Sequence, residues 1–164
     1  ECRVVTAHGH RWHIAGNRAV VSEIAELVLS EPAPALTTRL TALVADASAR
    51  IRSAPDLTMN GELDALPPEL ADVLERVLTE ALANTVRHAY ASTLSVAITR
   101  SDDALELSVV DNGVGPEDEP TSGTGIPMMA ACAAELGGTF TIEPEPTMGT
   151  QVTWRVPTRR SGHQ

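Results

Sequence analysis

Leu94-Ser95-Val96-Ala97-Ile98 and Leu105-Glu106-Leu107-Ser108-Val109 are two short runs in which apolar residues alternate with small or polar ones, and Asp102-Asp103 lies between them. A period of two sends every apolar side chain to one side of a strand, so the two runs predict an antiparallel hairpin with one buried face. Directly upstream, Leu70, Val73, Leu74, Val77, Leu78, Ala81 and Leu82 recur at intervals of three and four, the stripe of an amphipathic helix. Pro67-Pro68 opens that helix where a missing amide costs nothing, and it should run to about Ala89. Further upstream, residues 35 to 52 carry a second helical stripe, Leu36, Leu40, Leu43, Val44, Ala47 and Ile51, with Arg50 and Arg52 in its last turn, and Leu57 to Gly61 form a short strand. Downstream, residues 112 to 125 are turn-formers and acids, Ile126 to Leu136 form a helix ended by Gly137-Gly138, and strands follow around Phe140 to Ile142 and Val152 to Val156. The order helix, strand, helix, strand, strand, helix, strand, strand is not the alternation of a Rossmann sheet. It predicts an α+β fold, a two-layer sandwich of a mixed sheet covered on one face by helices.

The chain has 164 residues, enough for one ordinary domain with flanking sequence. Residues 1 to 34 read as a flanking arm or the remnant of an upstream segment, 35 to 157 as the domain and 158 to 164 as a tail. Opening at Glu1 without a charged-then-apolar leader suggests an excised soluble piece. Aromatics are 2% of the chain, so the core is expected to be aliphatic. Lysine is absent, which excludes any phosphate site built on a P-loop or protein-kinase lysine. Cys2 and Cys132 stand too far apart in sequence for a disulfide framework or a CxxC knuckle, which fits a cytoplasmic setting. His8-Gly9-His10-Arg11-Trp12-His13 lacks the acidic or thiolate neighbours of a closed metal site and reads as solvated sequence. The net charge of −10 is concentrated in residues 56 to 164, which argues against nucleic acid as a partner, and no segment suits direct membrane contact.

Three segments could carry chemistry. Glu80, Asn84, Arg87 and His88 fall on one side of the long helix, away from its apolar stripe, and offer an acid or base, a metal-ligand oxygen and two phosphate donors. Surface helices often show such sets. Asp111-Asn112-Gly113-Val114-Gly115 follows a hydrophobic strand: a carboxylate there can accept from an exocyclic amine, and the glycines let backbone approach a flat ring. Gly123-Thr124-Gly125 stands just before a helix, where free amides attract phosphate.

Taken in order, Glu80-Ala81-Leu82-Ala83-Asn84-Thr85-Val86-Arg87-His88-Ala89, Asp111-Asn112-Gly113-Val114-Gly115, Gly123-Thr124-Gly125-Ile126 and Gly149-Thr150 resemble the N, G1, G2 and final glycine motifs of the GHKL ATP-binding domain. The form of the first motif, with Leu136-Gly137-Gly138-Thr139-Phe140 later, is similar to the histidine-kinase branch that pairs with helix-turn-helix response regulators, and most similar to actinobacterial oxygen- and redox-sensing sensor kinases. The likeness covers roughly residues 36 to 157. It implies a Bergerat-type fold in which Asp111 reads the adenine amine, Gly113 and Gly115 lie beside the ring, and Thr150 assists through water. It further implies that Asn84 ligates Mg²⁺ with ATP, that Glu80 polarises a water, that Arg87 and His88 neutralise phosphate oxygens, and that the amides around Gly123, Thr124 and Gly125 wrap the phosphates. The implied partners are the kinase's own dimerisation and histidine-phosphotransfer domain and a response regulator. The full kinase could be membrane-attached.

The chain departs from that branch in two places. No histidine here is followed by an acid, so autophosphorylation in cis is not expected, and Cys132 stands where the branch leads one to expect Arg. The lid between Gly115 and Gly123 is only seven residues, three of them acidic, and one expectation is that Glu119, or else Glu117 or Asp118, pairs with His88 or Arg87 in the empty site. Two other readings stand beside the histidine kinase: an anti-sigma-factor-like serine kinase or regulatory partner-binding module on the same scaffold, and an α+β interaction domain without a ligand.

Overall fold

The computed structural model describes residues 33–88, 90–115 and 124–158, excepting the His88 side chain. The arm up to residue 32, the lid with Glu119, Gly123 and the tail from residue 159 lie outside the described residues. The chain divides into two compact units, Glu1–Pro34 and Ala35–Gln164, and the fold that follows is that of the second.

Among the described residues three helices, α1 (Leu36–Arg50), α2 (Pro68–His88) and α3 (Gly125–Glu135), accompany five strands, β1 (Asp56–Asn60), β2 (Leu94–Arg100), β3 (Ala104–Asp111), β4 (Thr139–Pro144) and β5 (Thr150–Pro157). The strands form one sheet in the order β1-β2-β3-β5-β4. The expected hairpin is β2-β3, antiparallel with Val96 opposite Val109 and Ile98 opposite Leu107. β3 pairs antiparallel with β5, and β5 with β4, while β1 lies parallel to β2 and so needs the crossover that α2 supplies. The sheet is mixed, as the element order implied.

Register places every strand's apolar set on one face. Leu57, Val96, Val109, Val152 and Ile142 form one row across all five strands, and Met59, Ile98, Leu107, Trp154 and Phe140 the next. These rows meet the helical stripes in a single core, where Leu74, Val77 and Leu78 of α2 are wholly enclosed. Each contributes roughly 1.5–3 kcal/mol relative to exposure. The core is aliphatic with one large exception, the fully buried Trp154.

Helix ends show where local sequence and tertiary structure share the work. Ala35, the N-cap of α1, has no side-chain oxygen, and Asp64 in a short 3₁₀ turn (Leu63–Ala65) takes over: the Thr37 amide and hydroxyl both donate to its carboxylate at 2.9 Å. Those two donors from Thr37 hold the Asp64 carboxyl below its ordinary range. A lowered folded pKa means stability that is present above the unfolded value of about 4 and is lost as pH falls through the folded value. Asp64→Asn should therefore lower the melting temperature at pH 7, with the gap to wild type closing as pH drops below about 3, checked by thermal melts across pH. Arg50 does lie in the last turn of α1, paired with Asp46 at 2.9 Å, whereas Arg52 lies past the helix end with φ 58°. Ser53 donates back to the Ser48 carbonyl at 2.9 Å, so Arg52 occupies the left-handed position of a Schellman turn rather than a helical one.

Candidate functional site

The alternation that buries Leu105, Leu107 and Val109 carries one residue further to Asp111, the last of β3. A carboxylate thus arrives on the helix-facing side of the sheet at 7% exposure. It is held there by two donors, the Gly113 amide to Oδ1 at 2.9 Å and the Thr85 hydroxyl to Oδ2 at 3.2 Å. A carboxylate offers about four acceptor positions, so two donors leave it able to accept from a ligand. Thr150 is its neighbour across the β3-β5 ladder. Gly149, just before, presses its Cα against the Asp111 carbonyl, and Gly115 packs toward the Gly149 carbonyl. The Asp111–Gly115 turn and Gly149-Thr150 are therefore one corner of the molecule.

α2 meets this corner through Thr85. The polar strip beside it has Glu80 and Asn84 half-buried and Arg87 exposed. Because Asn84 adjoins Thr85, the hydroxyl bond to Asp111 also fixes where Asn84 begins. About 6 Å back along α2, Glu80 lies across Gly125, the first residue of α3, so closely that a Cβ at 125 would overlap its carboxylate, 2.6 Å from Cδ. Thr124 gives α3 no side-chain cap and no acid stands in its first turn, so the anionic group this helix start meets is the Glu80 carboxylate from α2. The strip thus runs from the Asp111 corner to the start of α3.

The close approach at Gly125 gives a direct test. Gly125→Ala should displace the Glu80 side chain and cost about 1 kcal/mol, the low end for overpacking, because the atoms it meets belong to a flexible side chain that can swing aside. The cost should largely vanish in a Glu80→Ala background, giving a coupling energy of about 1 kcal/mol in a double-mutant cycle by urea unfolding.

Two hollows flank these elements. One, of about 390 Å³, lies between α2 and α3 and is lined by Glu80 together with Asp72, Glu75, Arg76, Thr79 and Met128. The other, about 410 Å³, opens where Asp111 and Asn112 meet Ser95 and Val110 of the outward sheet face, with Asp56 and Glu145 at its sides. Neither alone spans the whole strip.

Two site residues gave little signal in the sequence. Thr85 sits within the buried flank of α2, where its hydroxyl was the one polar feature. Asn112 reads as a turn-former, yet its Oδ1 accepts from the Ser92 and Thr93 amides at 2.9 Å each and its Nδ2 donates to Ser92 Oγ at 3.0 Å. It thereby ties the loop after α2 to the Asp111 turn. Cys132 is buried in α3, and Arg76 of α2 donates to its sulfur at 2.7 Å, so a guanidinium reaches this place from the neighbouring helix.

Residues 69–160 match the family described as histidine kinase-, DNA gyrase B- and HSP90-like ATPases. The chain is 33% identical over 94 residues to the sensor protein VraS of Staphylococcus aureus, covering 56% of this chain and 27% of VraS, and 32% identical over 97 residues to VraS of Staphylococcus haemolyticus, covering 58% and 28%. It spans only about a quarter of the length of those relatives. Among solved structures, the ATP-binding domain of PrrB from Mycobacterium tuberculosis superposes with a TM-score of 0.53 at 26% identity, over 76% of this chain and 94% of that one. The histidine kinase domain of the blue-light-activated EL346 kinase from Erythrobacter litoralis shares the fold, with a TM-score of 0.55 at 23% identity over 82% of this chain and 69% of that one. With more than half the chain inside the family match, this protein belongs to the histidine kinase-, DNA gyrase B- and HSP90-like ATPase family.

Proposed function

We propose that residues 35–157 are the ATP-binding catalytic domain of a sensor histidine kinase, passing the γ-phosphoryl group of ATP to a histidine on a separate dimerisation domain, from which a response regulator receives it. The observation that carries this reading is the convergence of Asp111, Gly149-Thr150 and the Glu80–Asn84 flank of α2 on one corner beside the α3 start. In this reading Asp111 accepts from the adenine amine, with Gly113 and Gly115 letting the ring lie flat against backbone, and Thr150 orients a water beside it. Arg87 and His88 neutralise phosphate oxygens, and the amides from Gly123 to Gly125 meet the phosphates at the positive end of α3.

The donor set suits a magnesium ion bound with the nucleotide rather than by protein alone. Among the described residues no cluster of three or more His, Cys, Asp or Glu side chains is arranged to hold a metal. Mg²⁺ usually takes one or two protein oxygens and fills its octahedron from phosphates and water, and the Asn84 carboxamide on this strip is such an oxygen. When bound, the ion screens the phosphate charge that would otherwise oppose attack. What the chain itself does is position: Asn84 sets the height of the phosphates along α2, and Glu80 polarises and orients a water beside them. Phosphoryl transfer asks for placement and electrostatics more than covalent chemistry. Among the described residues no helix is long and apolar enough to cross a membrane, and the proposed place of this domain is on the cytoplasmic side of a kinase that could be membrane-attached.

The test is labelling with γ-labelled ATP in the presence of an added dimerisation domain. Acid-labile phosphate on that domain's histidine is the expected outcome. Acid-stable phosphate on a serine would transfer the assignment to a serine kinase, and no label combined with no ATP-dependent rise in melting temperature would end the ATP reading.

A further inference from the structure

Among the described residues three polar side chains are buried, Ser48, Thr85 and Asp111, and two of them meet: the Thr85 hydroxyl on α2 lies 3.2 Å from Oδ2 of Asp111 at the end of β3. A threonine inside a helix often turns its hydroxyl back to the carbonyl four residues earlier. Thr41 of α1 and Thr79 of α2 do so at 2.7 Å each, donating to Thr37 and Glu75. Thr85 does not settle there. Its oxygen stands 3.4 Å from the Ala81 carbonyl, farther than from the carboxylate, so the hydroxyl is drawn off the local bond toward a partner 26 positions away.

The two donors on Asp111 are not equivalent. The Gly113 amide belongs to the same turn, two residues on, and moves with the carboxylate that it holds. The torsion that turns a carboxylate about its own stem has broad wells, so a donor at one oxygen alone leaves the plane free to swing. Thr85 holds the other oxygen, and it does so from a separate element on the helix side of the sheet. It is therefore the contact that fixes the direction in which the remaining acceptor positions of Asp111 face.

We infer that Thr85 is a specificity-determining positioning residue: by fixing the Asp111 carboxylate it makes the site reject guanine nucleotides as well as accept adenine ones. The inference rests on the ATP-binding reading above and extends it to a residue that acts through Asp111. Where adenine presents an amine, guanine presents a carbonyl oxygen. A carboxylate held still meets that oxygen acceptor to acceptor, a contact that opposes binding, whereas a carboxylate free to turn escapes it. Rejection thus asks for rigidity, and the second donor supplies it.

The experiment titrates the full chain, as wild type, Thr85→Val, Thr85→Ala and Thr85→Ser, with ATP and with GTP by calorimetry in the presence of Mg²⁺, alongside thermal melts without ligand. Valine keeps the branched shape without the hydroxyl, alanine lacks both but favours the helix, and serine keeps the donor. Wild type should prefer ATP. In the two variants without a hydroxyl the ratio of ATP to GTP affinity should fall by about fivefold or more, and in Thr85→Ser it should stay within about twofold of wild type. An unchanged ratio in whichever of Thr85→Val and Thr85→Ala melts as a folded domain is what a merely structural residue would give, and it overturns the inference even if both nucleotides bind more weakly. Failure of serine to hold the ratio overturns it too. A wild type that binds ATP and GTP equally ends this inference and leaves the ATP reading standing, whereas a wild type that binds neither ends both.

Discussion

Gly149→Ala should cost the domain about 3 kcal/mol or more, a large share of the stability of a chain this size. Gly149 has φ +123°, outside what L side chains ordinarily adopt. A Cβ there would overlap the Asp111 carbonyl oxygen and stand 2.7 Å from its carbon and 2.8 Å from Asn112 Cα. All of these are backbone atoms at the end of the β3-β5 ladder, so nothing can swing aside as a long side chain could. Backbone strain of about 1–3 kcal/mol adds to the steric term. Gly137→Ala is the matched control: φ is +71° but nothing lies within 4 Å of the added carbon. It should lose about 1 kcal/mol. Urea unfolding of the two variants measures the difference, and equal losses would show that Gly149 serves only its own backbone angle.

Asp111→Asn should leave the fold intact while weakening ATP binding by about 10- to 100-fold. Asparagine keeps one carbonyl oxygen for the Gly113 amide, and the Thr85 hydroxyl can reverse to accept where it now donates. The adenine amine has no such freedom. Two donors would face each other across the contact, and a hydrogen bond to a charged acceptor, about 1.5–3 kcal/mol, would be lost. Calorimetric titration with Mg²⁺ present, paired with a thermal melt, separates the two effects. Affinity within twofold of wild type would rule Asp111 out as the group that reads adenine.

What could be seen in advance was what short-range periodicity encodes. The three- and four-residue spacing from Leu70 to Leu82 placed α2, and the alternation of Leu94 to Ile98 and of Leu105 to Val109 placed the hairpin. The parallel docking of β1 was not visible, because a five-residue strand with only Leu57 and Met59 half-buried carries little signal about its partner. The cap on α1 comes from Asp64, 27 positions from Thr37, and no local pattern announces a contact at that range. At the site, letters separated Asp111, Asn84 and the glycines from the background. They did not separate Thr85 from a core position or Asn112 from an ordinary turn, because each acts through a partner that only folding supplies.

Asn112 has a consequence for motion. The Ser92 and Thr93 amides lie in a loop, where protons usually trade with water quickly, yet both are engaged by one carboxamide rather than by a ladder or a helix. The last two residues before β2 are therefore pinned to the Asp111 turn through one side chain, so their amide exchange should report the hold of Asn112 on this part of the loop.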